Sequence, residues 1–260
     1  MAESPVLVDV SDGVATITLN RPDRLNAITG EMGRAYAAAL RSLDADPRVR
    51  VAVVTGSGRG FCSGADLSLL AQGPDALEAF LDDQAADDLP TCALDVSLPV
   101  VMAVNGAAAG LGFVIALTGD VCFASPDARF ISAFSRLGLV AEYAVAWLLP
   151  RQVGYQRASE ILLSGRAVDA DEAVRIGLCH AIADDPLAAA HAWARDVAAH
   201  CSPGSLATIK GQLTRAATAD RASSTAESLD LMRASFRGPD LAEALMAKAE
   251  RRPPGFAPRS

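Results

Sequence analysis

Glu142 is the only carboxylate between Asp127 and Glu160, and it sits in the otherwise apolar run LGLVAEYAVAWLLPRQVG. A carboxyl group so placed is either ion-paired in a core or has a raised proton affinity, and the second state suits removal of a carbon-bound proton near neutral pH. A second chemistry is written in two glycine turns, GRGFCSGADL (58 to 67) and NGAAAGLGFV (105 to 114). Each follows an apolar run that reads as a buried strand and precedes a helical period. Backbone N–H groups at such junctions point outward unpaired, and the helix dipole adds positive potential. Two such turns from adjacent strands can aim two N–H groups at one oxygen, the arrangement that stabilises a thioester carbonyl as it becomes an enolate. Taken singly, either turn is accounted for by tight packing alone. Neither is a phosphate loop, because G-x-x-x-x-G-K-[ST] is absent and GSGRG lacks the full dinucleotide fingerprint.

The elements around these residues follow from periodicity. PVLVDVSDGVATITLN (5 to 20) alternates on both sides of Ser11-Asp12-Gly13, which predicts a β-hairpin. A helical period runs from Thr29 to about Leu43, with Met32, Tyr36, Leu40 and Leu43 on one face, and VRVAVVTG then reads as a buried parallel strand. The alternation continues: GADLSLLAQ as a helix start, LPVVMAVNG as a strand, AGLGFVIALTG as a helix and DVCFAS as a strand. Strands alternating with helices imply a mainly parallel sheet with right-handed crossovers. From about Tyr143 to Ala249 helical periods dominate, with breaks at 177 to 185 and at Ser202-Pro203. An acidic residue before the helix expected near Tyr143 would also suit an N-cap, so Glu142 has a structural reading beside the catalytic one.

Of 260 residues, 51% are hydrophobic and 21% charged, enough for one compact core. A net charge of -8 and 5% aromatic residues argue against nucleic acid as a partner, since phosphate neutralisation and base stacking need basic and aromatic surfaces. The five cysteines, Cys62, Cys92, Cys122, Cys179 and Cys201, are scattered without a C-x-x-C pair, which predicts neither a disulfide framework nor a zinc site and points to a reducing cytoplasm. No apolar run reaches the length of a membrane span, and the N-terminus lacks a secretion signal. The acidic cluster Asp82, Asp83, Asp87 and Asp88 has no accompanying histidine and reads as a solvated helix face, so no metal site is expected.

ITLNRPDRLNAI (17 to 28), GRGFCSGADL, VMAVNGAAAGLG, DVCFAS, SRLGLV, LLPRQVG, ILLSGRAVDADEAVRIGL and AERRPPGF together resemble the crotonase, or enoyl-CoA hydratase/isomerase, family in order and spacing over nearly the whole chain. The resemblance implies an α/β fold with a crotonase-like β-β-α spiral core and a helical C-terminal region. Residues 1–200 would form the core with the CoA thioester site, and 201–260 a helical region for packing or trimerisation. It also implies an acyl-CoA thioester as ligand, a homotrimer or homohexamer, a role in fatty acid metabolism, and no prosthetic group, coenzyme A entering only as part of the substrate. Carried over by position, the two oxyanion N–H groups fall on Ala65 and Leu111. The adenine-contacting backbone falls near Ser63, Asp66 and Leu67, and the pantetheine and phosphates near Arg24, Leu25 and Ala27. Lys248 or Arg251 could add a cation for a phosphate. Glycine is commoner at the position of Leu111, and a positive φ there would strain it by about 1 kcal/mol or more.

The two glutamates of the family's hydratases fall on Val114 and Phe134, neither of which can activate water. In its double-bond isomerases a single acid stands just past the LG-x-x-P segment, and LGLVAE places Glu142 there with Ala141 in the proline's position. One carboxylate can take a proton from C2 and return it to C4. The neighbours Leu139, Val140, Ala144 and Val145 are expected to raise its pKa. Other readings are a non-catalytic acyl-CoA binder and a thioester decarboxylase using Tyr143. Dehalogenation would need an early histidine, whereas His180, His191 and His200 are all late. Cys62 has no partner base and reads as a packed thiol. The acyl pocket is expected between residues 67 and 100.

Overall fold

The computed structural model describes residues 4–85 and 89–259. Its strands are β1 (Val6–Ser11), β2 (Val14–Leu19), β3 (Val51–Gly56), β4 (Val100–Val104), β5 (Ala107–Ala109), β6 (Val121–Ala124), β7 (Arg129–Ile131), β8 (Ala167–Asp169) and β9 (Ala181–Ile182). The helices are α1 (Gly30–Ala45), α2 (Leu67–Leu70), α3 (Pro74–Ala85), α4 (Leu111–Leu117), α5 (Val145–Val153), α6 (Tyr155–Ser164), α7 (Ala170–Ile176), α8 (Pro186–His200), α9 (Pro203–Ala216), α10 (Arg221–Arg237) and α11 (Pro239–Glu250). One sheet runs β1-β2-β3-β4-β6-β9, antiparallel at the first pair and parallel thereafter. A second, small sheet runs β5-β7-β8.

Local chemistry explains the boundaries. The hairpin turns at Asp12 and Gly13, both with positive φ (52° and 77°), a twist that matches the flanking strands. Thr29 caps α1 by accepting from Met32 N, and Ser202 followed by Pro203 starts α9 by accepting from Ser205 N. β3 and β4 are buried on both faces, which is why they read as continuous apolar runs. Val51, Val53, Val101 and Ala103 pack on α8 through Ala190, Ala194, Val197 and Ala198. The alternate residues Ala52, Val54, Val100 and Met102 join the larger core with Met32, Tyr36 and Leu40 of α1.

The C-terminal helices are tied to that core by one buried ammonium. Lys210 of α9 donates to Ala93 O at 2.9 Å and Leu98 O at 3.0 Å and pairs with Asp120 at 2.9 Å. Past α11 the chain returns to the sheet, where Arg50 donates to Phe256 O at 2.9 Å. By contrast α10 buries no residue, and Leu229, Met232 and Phe236 are exposed along it.

Several sequence expectations are corrected. The second sheet was not foreseen: β5 lies inside the segment read as a turn and β8 inside the tail read as helical, while β9, at the edge of the main sheet, falls in the break at 177 to 185. These strands have two or three residues each, too short for an alternating pattern to register. GADLSLLAQ yields only the four-residue α2. Asp83 pairs with Arg34, whereas Asp87 and Asp88 lie outside the described residues.

Candidate active site

The first turn is built as an irregular strip between two neighbours. On one side Ser63 N donates to Leu25 O at 3.0 Å, Ile28 N to Gly64 O at 2.7 Å and Asp66 N to Ile28 O at 3.0 Å. On the other, Cys62 N donates to Ala107 O at 3.0 Å and Ala109 N to Cys62 O at 2.9 Å. Because Ile28 brackets Ala65 in a parallel bridge, the N–H of Ala65 points away from Ile28, towards the second turn. Leu111 is the first residue of α4, so its N–H precedes the helical ladder. Neither Ala65 N nor Leu111 N has a backbone acceptor among the described residues.

Two glycines hold the turns together. At Gly64 (φ +97°) a Cβ would lie 2.8 Å from Ala109 O and 3.5 Å from Leu111 N, and at Gly112 it would collide with the Cys62 carbonyl. The strain expected at Leu111 does not arise. Gly110 takes the positive φ (51°), leaving Leu111 helical.

Arg24, Leu25 and Ala27 therefore lie directly beside Ser63, Ala65, Asp66 and Leu67. The N–H groups of Ser63 and Asp66 are already engaged, and the Asp66 carbonyl accepts from Leu69 N at 2.9 Å, so on these two residues the Ser63 carbonyl is the backbone group open to a ligand among the described residues. The Asp66 side chain is also committed. It accepts from Ser68 and pairs with Arg21 at 2.9 Å, and these donors, with the Ser68 hydroxyl foremost, hold its carboxyl down at about 2. Asn26, not singled out from sequence, fastens this strip. It is wholly buried, donates to Ser57 O, Gly60 O and Phe61 O, and accepts from Arg21 N. Leu25 and Asn26 both have positive φ (48° and 55°), a conformation asparagine tolerates better than most residues.

A cleft of about 180 Å³ opens beside the turns, lined by Ser63, Gly64, Ala65, Leu111, Ser132, Phe134 and Glu142 among others. Leu77, Phe80 and Leu81 of α3 form one wall on i, i+3, i+4 spacing, and Leu137 and Leu139 another. The structure thus brings Ala65, Leu111 and Glu142 to one apolar cavity. Phe134 lines it too, while Val114 faces the core. The pocket wall comes only partly from residues 67 to 100.

Glu142 is half-buried, and no hydrogen bond or ion pair engages its carboxylate among the described residues. Burial pushes it up to about 7. Two expectations about it are corrected. It does not cap a helix: α5 starts at Val145 with Ala144 as N-cap and no side-chain cap bond. Its desolvation does not come from Val140 or Ala144, since Val140 is 80% exposed and Ala144 is exposed. Tyr143 (φ 46°) and Ala144 (φ 60°) are both left-handed, as is Ala133 (φ 59°) at the other end of the loop. Such strain in non-glycine residues concentrates at functional sites. The Tyr143 hydroxyl is buried without a partner among the described residues. The histidines lie elsewhere: His191 meets Thr16, His200 meets Asp196 and His180 packs on Phe123. Burial raises Cys62 to about 12, consistent with a packed thiol. Lys248 and Arg251 are exposed on and just past α11.

This fold and cleft define a recognisable class. Residues 9–259 match the family model for enoyl-CoA hydratase/isomerase. A probable enoyl-CoA hydratase of Mycobacterium tuberculosis is 44% identical over 192 residues, 72% of each chain. The 1,2-epoxyphenylacetyl-CoA isomerase of Escherichia coli is 35% identical over 256 residues, covering 96% of this chain and 97% of that one. Among solved structures, a probable enoyl-CoA hydratase/isomerase from Mycobacterium abscessus superposes with a TM-score of 0.88 at 32% identity over the whole of both chains. The chain belongs to the enoyl-CoA hydratase/isomerase family. No helix among the described residues is long and apolar enough to cross a membrane.

Proposed function

We propose that this protein is an acyl-CoA isomerase that moves a double bond from the 3- to the 2-position of an enoyl-CoA. Glu142 takes the C2 proton, the N–H groups of Ala65 and Leu111 receive the charge on the thioester oxygen, and Glu142 returns the proton to C4. The observation that carries this reading is the state of Glu142: a carboxylate without a partner among the described residues, raised to about 7, in the apolar cleft that also contains both turns. Such a group is matched to proton transfer at neutral pH. One relative is itself named as a CoA-thioester isomerase, which agrees in reaction class. Coenzyme A would lie along the strip of Arg24, Leu25, Ala27, Ser63, Asp66 and Leu67. The apolar side chains exposed on α9 to α11, Leu213, Phe236 and Leu245 among them, suit the face of a homotrimer or homohexamer. Its five free cysteines suit the cytoplasm.

The test is a side-by-side assay of 3-enoyl-CoA and 2-enoyl-CoA substrates. Isomerisation of the former is expected, with hydration of crotonyl-CoA well below about 1 per second, because Val114 and Phe134 cannot hold water. Sustained hydration at enzymatic rates would overturn the assignment. Thioester binding without turnover of either substrate would leave a non-catalytic acyl-CoA binder.

The raised pKa has two consequences with opposite dependence on pH. Only the ionised base can accept the proton, so kcat/KM should climb about tenfold per pH unit below 7 and level off above it. For folding, a carboxyl raised from 4.5 to about 7 holds its proton more tightly in the native state. Its contribution to stability is therefore fullest below 4.5 and is lost as pH rises to 7. Glu142→Gln should accordingly be about 1 to 2 kcal/mol more stable than the wild type at pH 8, allowing for residual solvent contact, with the difference vanishing near pH 4. Chemical denaturation at both pH values checks this, and a variant destabilised at both would contradict it.

A further inference from the structure

Away from the cleft, a second group of reactive side chains lies at the far edge of the main sheet. Cys122 is in β6, and Cys179 precedes β9, the two-residue edge strand. The parallel register Phe123↔Ala181, with His180 N donating to Cys122 O at 2.8 Å, puts His180 opposite Cys122 and Cys179 one residue off, on the adjacent backbone. Cα atoms of residues so related stand about 5 to 6 Å apart, within the range a disulfide spans. Cys179 Sγ lies 3.1 Å from Cys122 O and 3.4 Å from Ala181 O, at the seam between the two strands. Both are free, and both line a cavity of about 460 Å³ together with Asp120, Gln152 and His180. Neither has any part in the chemistry proposed above.

We propose that Cys122 and Cys179 form a reversible dithiol/disulfide site, oxidised by small hydroperoxides that enter through this cavity. The Cys179 sulfur, as thiolate, attacks the peroxide O–O bond, giving Cys179–SOH and releasing hydroxide from hydrogen peroxide. The Cys122 sulfur then displaces water from the sulfenic acid to form the S–S bond. Two thiols and one hydrogen peroxide thus become one disulfide and two waters. Cys179 is the attacking partner because its pKa is lowered by its interaction with Cys122, whose own pKa is raised. The physical gain is at the sheet edge. β9 is held to β6 over only two residues, and a covalent link at Cys179 pins a strand that would otherwise be among the first to open.

The experiment uses the full chain treated with hydrogen peroxide in modest excess, blocked with an alkylating agent while still folded, and mapped by mass spectrometry. The expected result is a cross-linked peptide pair containing Cys122 and Cys179, two hydrogens lighter than the thiol forms. Free thiols should fall from five to three, and Tm should rise by several degrees, reversed by a reductant. In Cys122→Ser, Cys179 should instead accumulate as a sulfenic acid trapped by dimedone, at least tenfold faster than Cys62 or Cys92. The wild-type mapping needs no variant, so a Cys122→Ser chain that fails to fold leaves the test intact. Oxidation confined to Cys201, the least buried cysteine, with Cys122 and Cys179 recovered as thiols, would overturn the proposal. So would a cross-link that forms only after unfolding.

Discussion

Replacing Glu142 by glutamine should lower turnover of a 3-enoyl-CoA by about a hundredfold or more while leaving affinity for the CoA thioester nearly unchanged. The substitution keeps size and polarity and removes only the capacity to accept a proton. Among the described residues the Glu142 side chain makes no cap bond to α5 and its carboxylate has no partner, so the substitution breaks no structural bond there. Glu142→Asp should retain part of the activity if the shorter acid still reaches C2. Steady-state kinetics with a parallel calorimetric titration separates the two quantities. A glutamine variant with undiminished turnover would remove Glu142 from the mechanism and favour the non-catalytic binder.

Leu111→Pro should be nearly as damaging, lowering turnover by about a hundredfold to a thousandfold, the usual effect of deleting one oxyanion donor. The donor is a backbone group, so no ordinary side-chain change removes it. Proline does, and position 111 is the first residue of α4, where proline's fixed φ fits and its missing N–H breaks no helical bond. The variant should therefore keep its fold, as checked by its thermal transition, and lose rate, with a smaller loss of affinity because proline Cδ stands where the N–H pointed. Equal rates in the folded variant would exclude Leu111 N from charge stabilisation. A double variant no slower than the slower single one would indicate that base and oxyanion donors act on one transition state.

The strands with strong apolar runs, β3 and β4, and the amphipathic α1 were legible from sequence because each buries a pattern that its own period encodes. The β5-β7-β8 sheet was not, since strands of three residues hold their shape through neighbours distant in the chain. Asn26 illustrates the same limit: its role is to bond three carbonyls more than thirty residues away, and no local pattern announces that.

By itself, then, the amino-acid order determined the alternation of strands and helices, the family, the two turns with small residues where backbones must meet, and the apolar side chains at Val114 and Phe134. Those properties reside in residue type and local spacing. Only the tertiary structure decided that Gly110 rather than Leu111 takes the left-handed conformation, that Glu142 caps nothing, and that Leu139 rather than Val140 faces its cleft. Each of these depends on where a backbone turns and which groups lie across a gap from it. Desolvation, strain and the aim of an N–H are properties of that surrounding space, and the chain acquires them only when distant segments close around one point.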